Sequence, residues 1–419
     1  MFDYKTMLSR GAEIEDRLRQ LGAVSDTPGV PGIWRGMMSD ADFRAKSLVR
    51  TWMEEAGLAV REDCFGNIYG RLEGQVPETI LTGSHVDTVK DGGLYDGACG
   101  VVTAIEAVGA LVKAGWKPYY SVEVVGFEEE EGSRFDLSYP GSHVIVGKLA
   151  EEELNICDEK GVCLKTLMEE LGYNPKELPQ ADRRGQVKEF IELHVEQGAV
   201  LDREGLSVGL VENITGMMNF DVTISGEQNH AGATPMYLRK DPMVKMAEVI
   251  LKATEAVKAI SSTGVITFGE MELHPGLKNV IPGSVHCIID LRDGNGPALL
   301  EEQAAVEAIL EEAAADGFGA EYRSYSYEPP VPMNAELVDD LEDCTREGEI
   351  PYKRMNSGAG HDSMIIAWEI PTCMIFVPSV DGISHSPKEY TRPEDLSRGC
   401  EVLGRMLMKR AGERTQPDR

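Results

Sequence analysis

Thr79-Ile80-Leu81-Thr82-Gly83-Ser84-His85-Val86-Asp87 is the stretch on which the fold turns. An apolar, β-branched run leads into Gly-Ser and then a histidine, the pattern of a buried strand that ends in a polar loop. The loop continues through Gly92-Gly93-Leu94-Tyr95-Asp96-Gly97. From Gly97 to Val112, the residues Val101, Ile105, Val108 and Val112 share one helical face. Further along, Val122–Phe127 and Phe190–Val195 read as strands, and a helical stretch is expected over about 147–171. Strands alternating with helices argue for a parallel α/β layer.

The character changes after Asn213. Phe220–Ile224 alternates like a strand, and Asp241-Pro242 opens a helix, with Asp as N-cap and Pro in the first turn. Met243, Met246, Ile250, Ala253 and Val257 are its expected buried face. Val265–Met271 and Ser284–Leu291 read as strands and Leu299–Ala314 as a helix. This β-α-β-β-α-β order predicts a separate α+β domain inserted into the α/β domain. The expected division is 1–213 with 325–419 for the larger domain and 214–324 for the insert. Ala335–Thr345, Thr372–Val377 and Glu394–Lys409 then read as helix, strand and closing helix. The tail Gly412–Arg419 is polar.

A chain of 419 residues, 42% hydrophobic and 27% charged, has ample material for such a core. Its net charge of −30 repels nucleic acid and anionic membranes, so neither is an expected partner. An acidic substrate would need a local cationic spot. The longest apolar run, Val101–Val112, is cut by Glu106, and Met1-Phe2-Asp3-Tyr4-Lys5 lacks the pattern of a secretory leader. A cytoplasmic location is expected. The eight cysteines, at 64, 99, 157, 163, 287, 344, 373 and 400, form no C-x-x-C pair and are expected as buried thiols.

Histidines and carboxylates gather where strands end. His85 and Asp87 follow the first strand and Asp96 its loop; Glu128 to Glu131 follow Phe127; His194 closes another strand; His385 comes soon after Val377. In an open α/β sheet, ligands collect beyond the carboxyl ends of the strands. Such nitrogen and oxygen donors suit zinc, with manganese or cobalt as alternatives, and a bridging aspartate can hold two ions. Against this, a single histidine at a strand end is usually structural, and a run of four glutamates usually forms a solvated turn. Glu128 and Glu129 are expected to be such solvated neighbours. Gly205-Leu206-Ser207-Val208-Gly209 has the letters of a nucleophile elbow, but an extended segment follows it where a helix is required.

The motifs GSHVDTVKDGGLYDGACG (83–100), FEEEEGSRF (127–135), HVEQG (194–198), NHAGATPMYLRKDPM (229–243), NVIPG (279–283), SGAGHDS (357–363) and GISHSP (382–387) carry a resemblance. The chain resembles the M20 metallopeptidase-like family, and more closely its hydantoinase/carbamoylase branch. The resemblance implies a mixed-sheet catalytic domain holding two divalent cations, with an inserted dimerisation or lid domain. It implies a metal-dependent amidohydrolase that cleaves the carbamoyl C–N bond of a small ureido carboxylate, an N-carbamoyl-L-amino acid or allantoate. An aminopeptidase or aminoacylase of the wider family, or a non-catalytic protein of the same fold, is the alternative.

Residue by residue, His85, Asp96, Glu131, His194 and His385 match the metal ligands, with Asp96 bridging. One ion would take His85 and His194, the other Glu131 and His385. Asp87 would orient His85, and Glu130 matches the general base. His230 matches a histidine that reaches the partner's site in family dimers. Gln197, Asn279 and Arg292 match substrate contacts, and His361 would line the site or brace it. A homodimer is implied. Two departures stand out: Ser384 replaces the glycine often found before the last histidine, and Met217-Met218-Asn219 lacks the polar residues of allantoate enzymes.

Overall fold

The computed structural model describes residues 4–413. In chain order its strands are β1 (Ala59–Glu62), β2 (Ile68–Leu72), β3 (Val76–His85), β4 (Tyr120–Phe127), β5 (Val187–Val195), β6 (Val208–Ile214), β7 (Gly216–Ser225), β8 (Asn229–His230), β9 (Val265–His274), β10 (Val280–Ile281), β11 (Ser284–Asp293), β12 (Gly319–Glu328), β13 (Val331–Pro332), β14 (Tyr352–Ser357) and β15 (Thr372–Val377). The chain folds as two compact units. One comprises residues up to 212, 332–355 and 359 onward; the other comprises 213–331 with 356–358.

The larger unit is built on a sheet of order β1-β2-β4-β3-β5-β15-β6-β13, with β14 beside β6. Its centre, β4-β3-β5-β15, is parallel, and β2 and β6 flank it antiparallel. Strands buried on both faces read as continuous apolar runs, and Ile80 to His85 are all buried. The helix Ala98–Lys113, apolar nearly all round, is accordingly buried on almost every side. Glu106 within it is held by Arg10 and Arg17, at 2.8 and 3.0 Å. Tyr69, Leu81, Val125, Phe127, Phe190 and Ile366 belong to one core cluster of this unit. After β3 the chain goes to one side for β4 and returns to the other for β5, so a crevice is expected at the carboxyl end of β3.

The smaller unit carries an antiparallel sheet of order β12-β7-β11-β9 and the helices Pro242–Ile260 and Gly296–Ala315. Alternate residues of β7 and β11 are buried, as one-sided packing requires. Phe220, Val222, Ile224, Cys287, Ile289 and Leu291 meet Met246, Val249 and Leu310 in its core. Asp241 caps the first helix, accepting from the Met243 N–H at 3.0 Å. Val249 is buried on this helix, while Met243 and Ile250 pack at the margin. The unit extends beyond the expected 324 because β12 runs on to Glu328.

Two expectations need correction. The helix expected over about 147–171 is a short 3₁₀ turn, Glu151–Asn155, and a seven-residue helix, Leu164–Glu170. Gly147 and Gly161 hold φ of 63° and 78°, left-handed backbone that no continuous helix accommodates. Between these elements Cys157 and Cys163 form a disulfide, facing each other across a local antiparallel bridge. Cys99, Cys287, Cys344, Cys373 and Cys400 are the buried free thiols expected, and Cys64 is half-buried. The tail from 414 lies outside the described residues.

Candidate metal centre

Parallel pairing aligns the carboxyl ends of the central strands. His85 stands opposite Phe127 across β3 and β4, and His194 opposite Phe376 across β5 and β15. The loops leaving these ends bring their side chains together. His85, Asp96 and His194 each offer a ligand atom within 4.8 Å of the others, as do Asp96, Glu131 and His385, and His85, Glu130 and Glu131.

Asp96 divides its two oxygens between the groups. Oδ1 lies 3.3 Å from His194 Nε2 and 3.9 Å from His85 Nε2. Oδ2 lies 3.0 Å from His385 Nε2, which is also 3.6 Å from Glu131. Glu130 stands beside this pair, 3.7 Å from His85 Nε2. All but His385 and Glu131 are buried.

The imidazoles are oriented from behind. His85 Nδ1 faces the Asp87 carbonyl at 3.1 Å, and His194 Nδ1 faces the Val195 carbonyl at 3.0 Å. A ring whose Nδ1–H donates to a carbonyl presents the lone pair of Nε2, the state in which histidine ligates a cation. The Asp87 carboxylate accepts the N–H groups of Glu130 and Glu131, both at 3.1 Å. It thus holds the Glu130–Glu131 loop, while its backbone carbonyl meets the His85 ring. Gly97 has φ of 59°, and a Cβ there would sit 2.4 Å from the His85 ring, so only glycine fits. Glu129, Gln197 and His385 have φ of 57°, 60° and 51°, a strained state that persists where surrounding contacts impose it.

Charge in the cluster is unbalanced. Burial pushes Glu130 well above the usual carboxylate range, and burial with the Asp96 charge raises Glu131 to about 7. Burial opposes charge on His85, but Glu130, Asp87 and Glu131 outweigh it and raise that ring. The hydrogen bond to Asp96 raises His385 to about 9. Burial opposes charge on Asp96 too, yet His385, His194 and His85 hold it well below its usual range. A buried excess of carboxylates, with imidazole lone pairs aimed among them, fits divalent cations in place of protons.

The glutamate run is not a solvated turn. Glu128 is buried against Lys46 at 2.6 Å, and Lys46 also meets Asp42 at 2.9 Å. Glu129 is buried and accepts the N–H groups of Met37 and Arg134, at 3.1 and 2.9 Å. Partners on the segment 37–46, together with the Arg134 N–H, decide this, and the run itself carries no sign of them.

Gln197 donates from Nε2 to Asp96 Oδ2 at 3.0 Å, and its Oε1 is buried without a hydrogen-bond partner. His361 is buried with its ring 4.4 Å from that of His194. In the smaller unit, His230 is exposed and its Nδ1 accepts from the N–H groups of Gly232 and Ala233, both at 3.1 Å. That leaves the proton of the neutral ring on Nε2. Asn279 is exposed, and its carbonyl accepts from Ala231 at 3.0 Å. Arg292 is engaged: Asp290 takes Nε and Nη2 at 2.8 and 3.2 Å, and the Gly358 carbonyl takes Nη1 at 3.0 Å. Ser207 precedes β6, so Gly205–Gly209 forms no nucleophile elbow. Among residues the sequence did not single out, Glu192 is buried and accepts from Ser84 and Ser363 at 2.8 and 2.6 Å. Glu389, also buried, is bonded to the backbone of the Asp96 loop.

Residues 81–409 match the model of peptidase family M20/M25/M40. The chain belongs to this family. It is 39% identical to an N-carbamoyl-L-amino acid amidohydrolase of Geobacillus stearothermophilus, over 94% of this chain and 97% of that one. It is 38% identical to an allantoate amidohydrolase of Escherichia coli, over 96% and 98%. A hydantoinase/carbamoylase family amidase from Burkholderia multivorans superposes with a TM-score of 0.90 at 32% identity, over 96% and 98%. The family member is thus a hydrolase of C–N bonds with a set of candidate metal ligands. No helix among the described residues is long and apolar enough to cross a membrane.

Proposed function

We propose that this protein is a two-metal amidohydrolase that cleaves the carbamoyl C–N bond of a small ureido carboxylate. The observation that carries the reading is Asp96, whose Oδ1 faces His85 and His194 and whose Oδ2 faces His385 beside Glu131. One divalent cation would be held by His85 and His194, the other by Glu131 and His385, with Asp96 common to both. Zinc suits the donors, and manganese or cobalt are the alternatives. Such ions supply Lewis acidity, which polarises a carbonyl and lowers the pKa of water toward neutrality.

The rest falls to side chains. Glu130, beside the ligands and held by Asp87 through its N–H, takes the proton of the attacking water and delivers it to the leaving amine. His230, with its proton on Nε2 and reaching the site of the other subunit in the proposed homodimer, donates to the oxygen that gains charge. Gln197, Asn279, Arg292 and His361 are the proposed substrate contacts. Water adds to the carbamoyl carbon, the C–N bond breaks, and the products are the free amine and carbamate, which decomposes to ammonia and carbon dioxide. A cytoplasmic homodimer completes the reading.

An N-carbamoyl-L-amino acid is favoured over allantoate, because the 229–243 segment follows the carbamoylase pattern and Met217-Met218-Asn219 departs from that of allantoate enzymes. The test is ammonia release by purified protein from N-carbamoyl-L-amino acids, N-carbamoyl-β-alanine, allantoate and dipeptides. Ammonia from a ureido compound is the expected result. Cleavage of dipeptides with no turnover of ureido compounds would return the protein to the aminopeptidase reading.

A further inference from the structure

Glu389 does work at the centre that no ligand assignment covers. Its side chain is buried with every hydrogen bond directed at the segment carrying Asp96 or at Ser384. Oε2 accepts two successive backbone N–H groups, Tyr95 at 2.7 Å and Asp96 at 3.0 Å. Oε1 accepts from Ser384 Oγ at 2.8 Å. Ser384 Oγ lies in turn 3.2 Å from Asp96 Oδ2, the oxygen turned toward His385. Glu389 thus grips Asp96 at its backbone directly and reaches its carboxylate through one hydroxyl.

The loop is shaped for this grip. A Cβ at Gly93 would lie 2.3 Å from Glu389 Oε2, so the glycine makes room for the carboxylate. The glutamate and the hydroxyl both lie on the loop that holds His385. Fixing them against Asp96 therefore fixes the spacing between the shared carboxylate and the terminal histidine. A carboxylate that must serve two cations at once tolerates little rotation, and hydrogen-bonded partners behind a ligand commonly govern its affinity.

We infer that Glu389 and Ser384 form a positioning pair that holds Asp96 in the orientation serving both groups of ligands, so that the second cation binds tightly only while the pair is intact. The inference rests on the two-metal reading above. A glycine at position 384 would supply no hydroxyl between the two carboxylates. Neither residue touches the reacting atoms; both act through Asp96.

The experiment is titration of metal-stripped full-length protein with Co²⁺, read by calorimetry and by the visible absorption of the bound ion. Wild type is expected to take up two ions per chain. In Ser384→Ala the second ion should bind roughly tenfold more weakly, and in Glu389→Ala roughly 10- to 100-fold more weakly, with altered visible bands. Ser384→Thr, which keeps the hydroxyl, should restore wild-type affinity. The double variant should lose no more than Glu389→Ala alone, because the hydroxyl acts with the glutamate. Should Glu389→Ala fail to fold, Ser384→Ala and its threonine rescue decide the matter. Two ions in wild type with unchanged affinity and spectrum in the variants overturns the inference alone. Fewer than two ions in wild type overturns the metal reading, and the inference with it.

Discussion

Glu302 offers a test of the smaller unit that is independent of any metal. It lies in the helix Gly296–Ala315, fully buried, and both its carboxyl oxygens lack a partner apart from neighbouring Asp293. Asp293 is also buried; its Oδ1 accepts from Thr263 Oγ1 at 2.9 Å and the Asn295 N–H at 2.7 Å, and its Oδ2 has no such donor. A proton held on Glu302 gives this pair of carboxyls the hydrogen bond it otherwise lacks. Burial, then the Asp293 charge and, more weakly, that of Glu301, raise Glu302 to about 8. The folded chain therefore keeps a proton that the unfolded chain releases near the ordinary glutamate value of about 4.3. Between those values the unfolded state binds fewer protons, so stability falls as pH rises. The full contribution is present below about 4.3 and is lost once pH passes about 8. Each unit of pH in the window is worth about 1.4 kcal/mol, so the interval from about pH 5.5 to 7.5 should cost on the order of 3 kcal/mol. Glu302→Gln keeps the shape and removes the ionisation. Urea denaturation of wild type and variant across this interval should give curves that diverge, with the variant gaining as pH rises. Parallel curves would refute the reasoning and place an ionised glutamate in the core.

Glu130→Gln should retain wild-type metal content, measured by elemental analysis, and lose roughly 100- to 10,000-fold in kcat, the usual worth of a general base. Gly97→Ala would drive a Cβ into the His85 ring, 2.4 Å away, and should reduce metal content by the same measurement while leaving the circular dichroism of the sheet intact. Lys46→Ala strands Asp42 and Glu128 in the interior without their cation, and the melting transition should fall by the equivalent of about 3–5 kcal/mol.

What the sequence disclosed depended on how local the cause was. The apolar run before Gly83 and the helical spacing after Gly97 are local patterns, and both elements formed where they were expected. The strand–loop junctions also announced the donors, because parallel strands of one sheet place their carboxyl ends together whatever lies between. The burial of Glu128 and Glu129 could not be read in this way. It is set by Lys46, Met37 and Arg134, whose approach no periodicity encodes. Glu389 was equally silent, since one glutamate in a polar loop resembles any other until Tyr95 and Asp96 present their N–H groups to it. The segment 147–171 holds no continuous helix because Gly147 and Gly161 take left-handed backbone within it. Arg292 was expected as a substrate contact, and its fork is shared with Asp290, two residues earlier on the same strand.

The chain leaves the larger unit at the end of β6 and returns at β13, and these two strands are neighbours in one sheet. Adjacent strands stand about 4.8 Å apart, a gap that a turn of a few residues closes. The 213–331 segment is therefore spliced in at a seam, and its removal would take from the main sheet only the last two residues of β6 and the first of β13. His85, Asp96, Glu131, His194 and His385 all lie outside that seam. A lineage could then lengthen, shorten or exchange the appended module while the cation-binding scaffold kept its geometry.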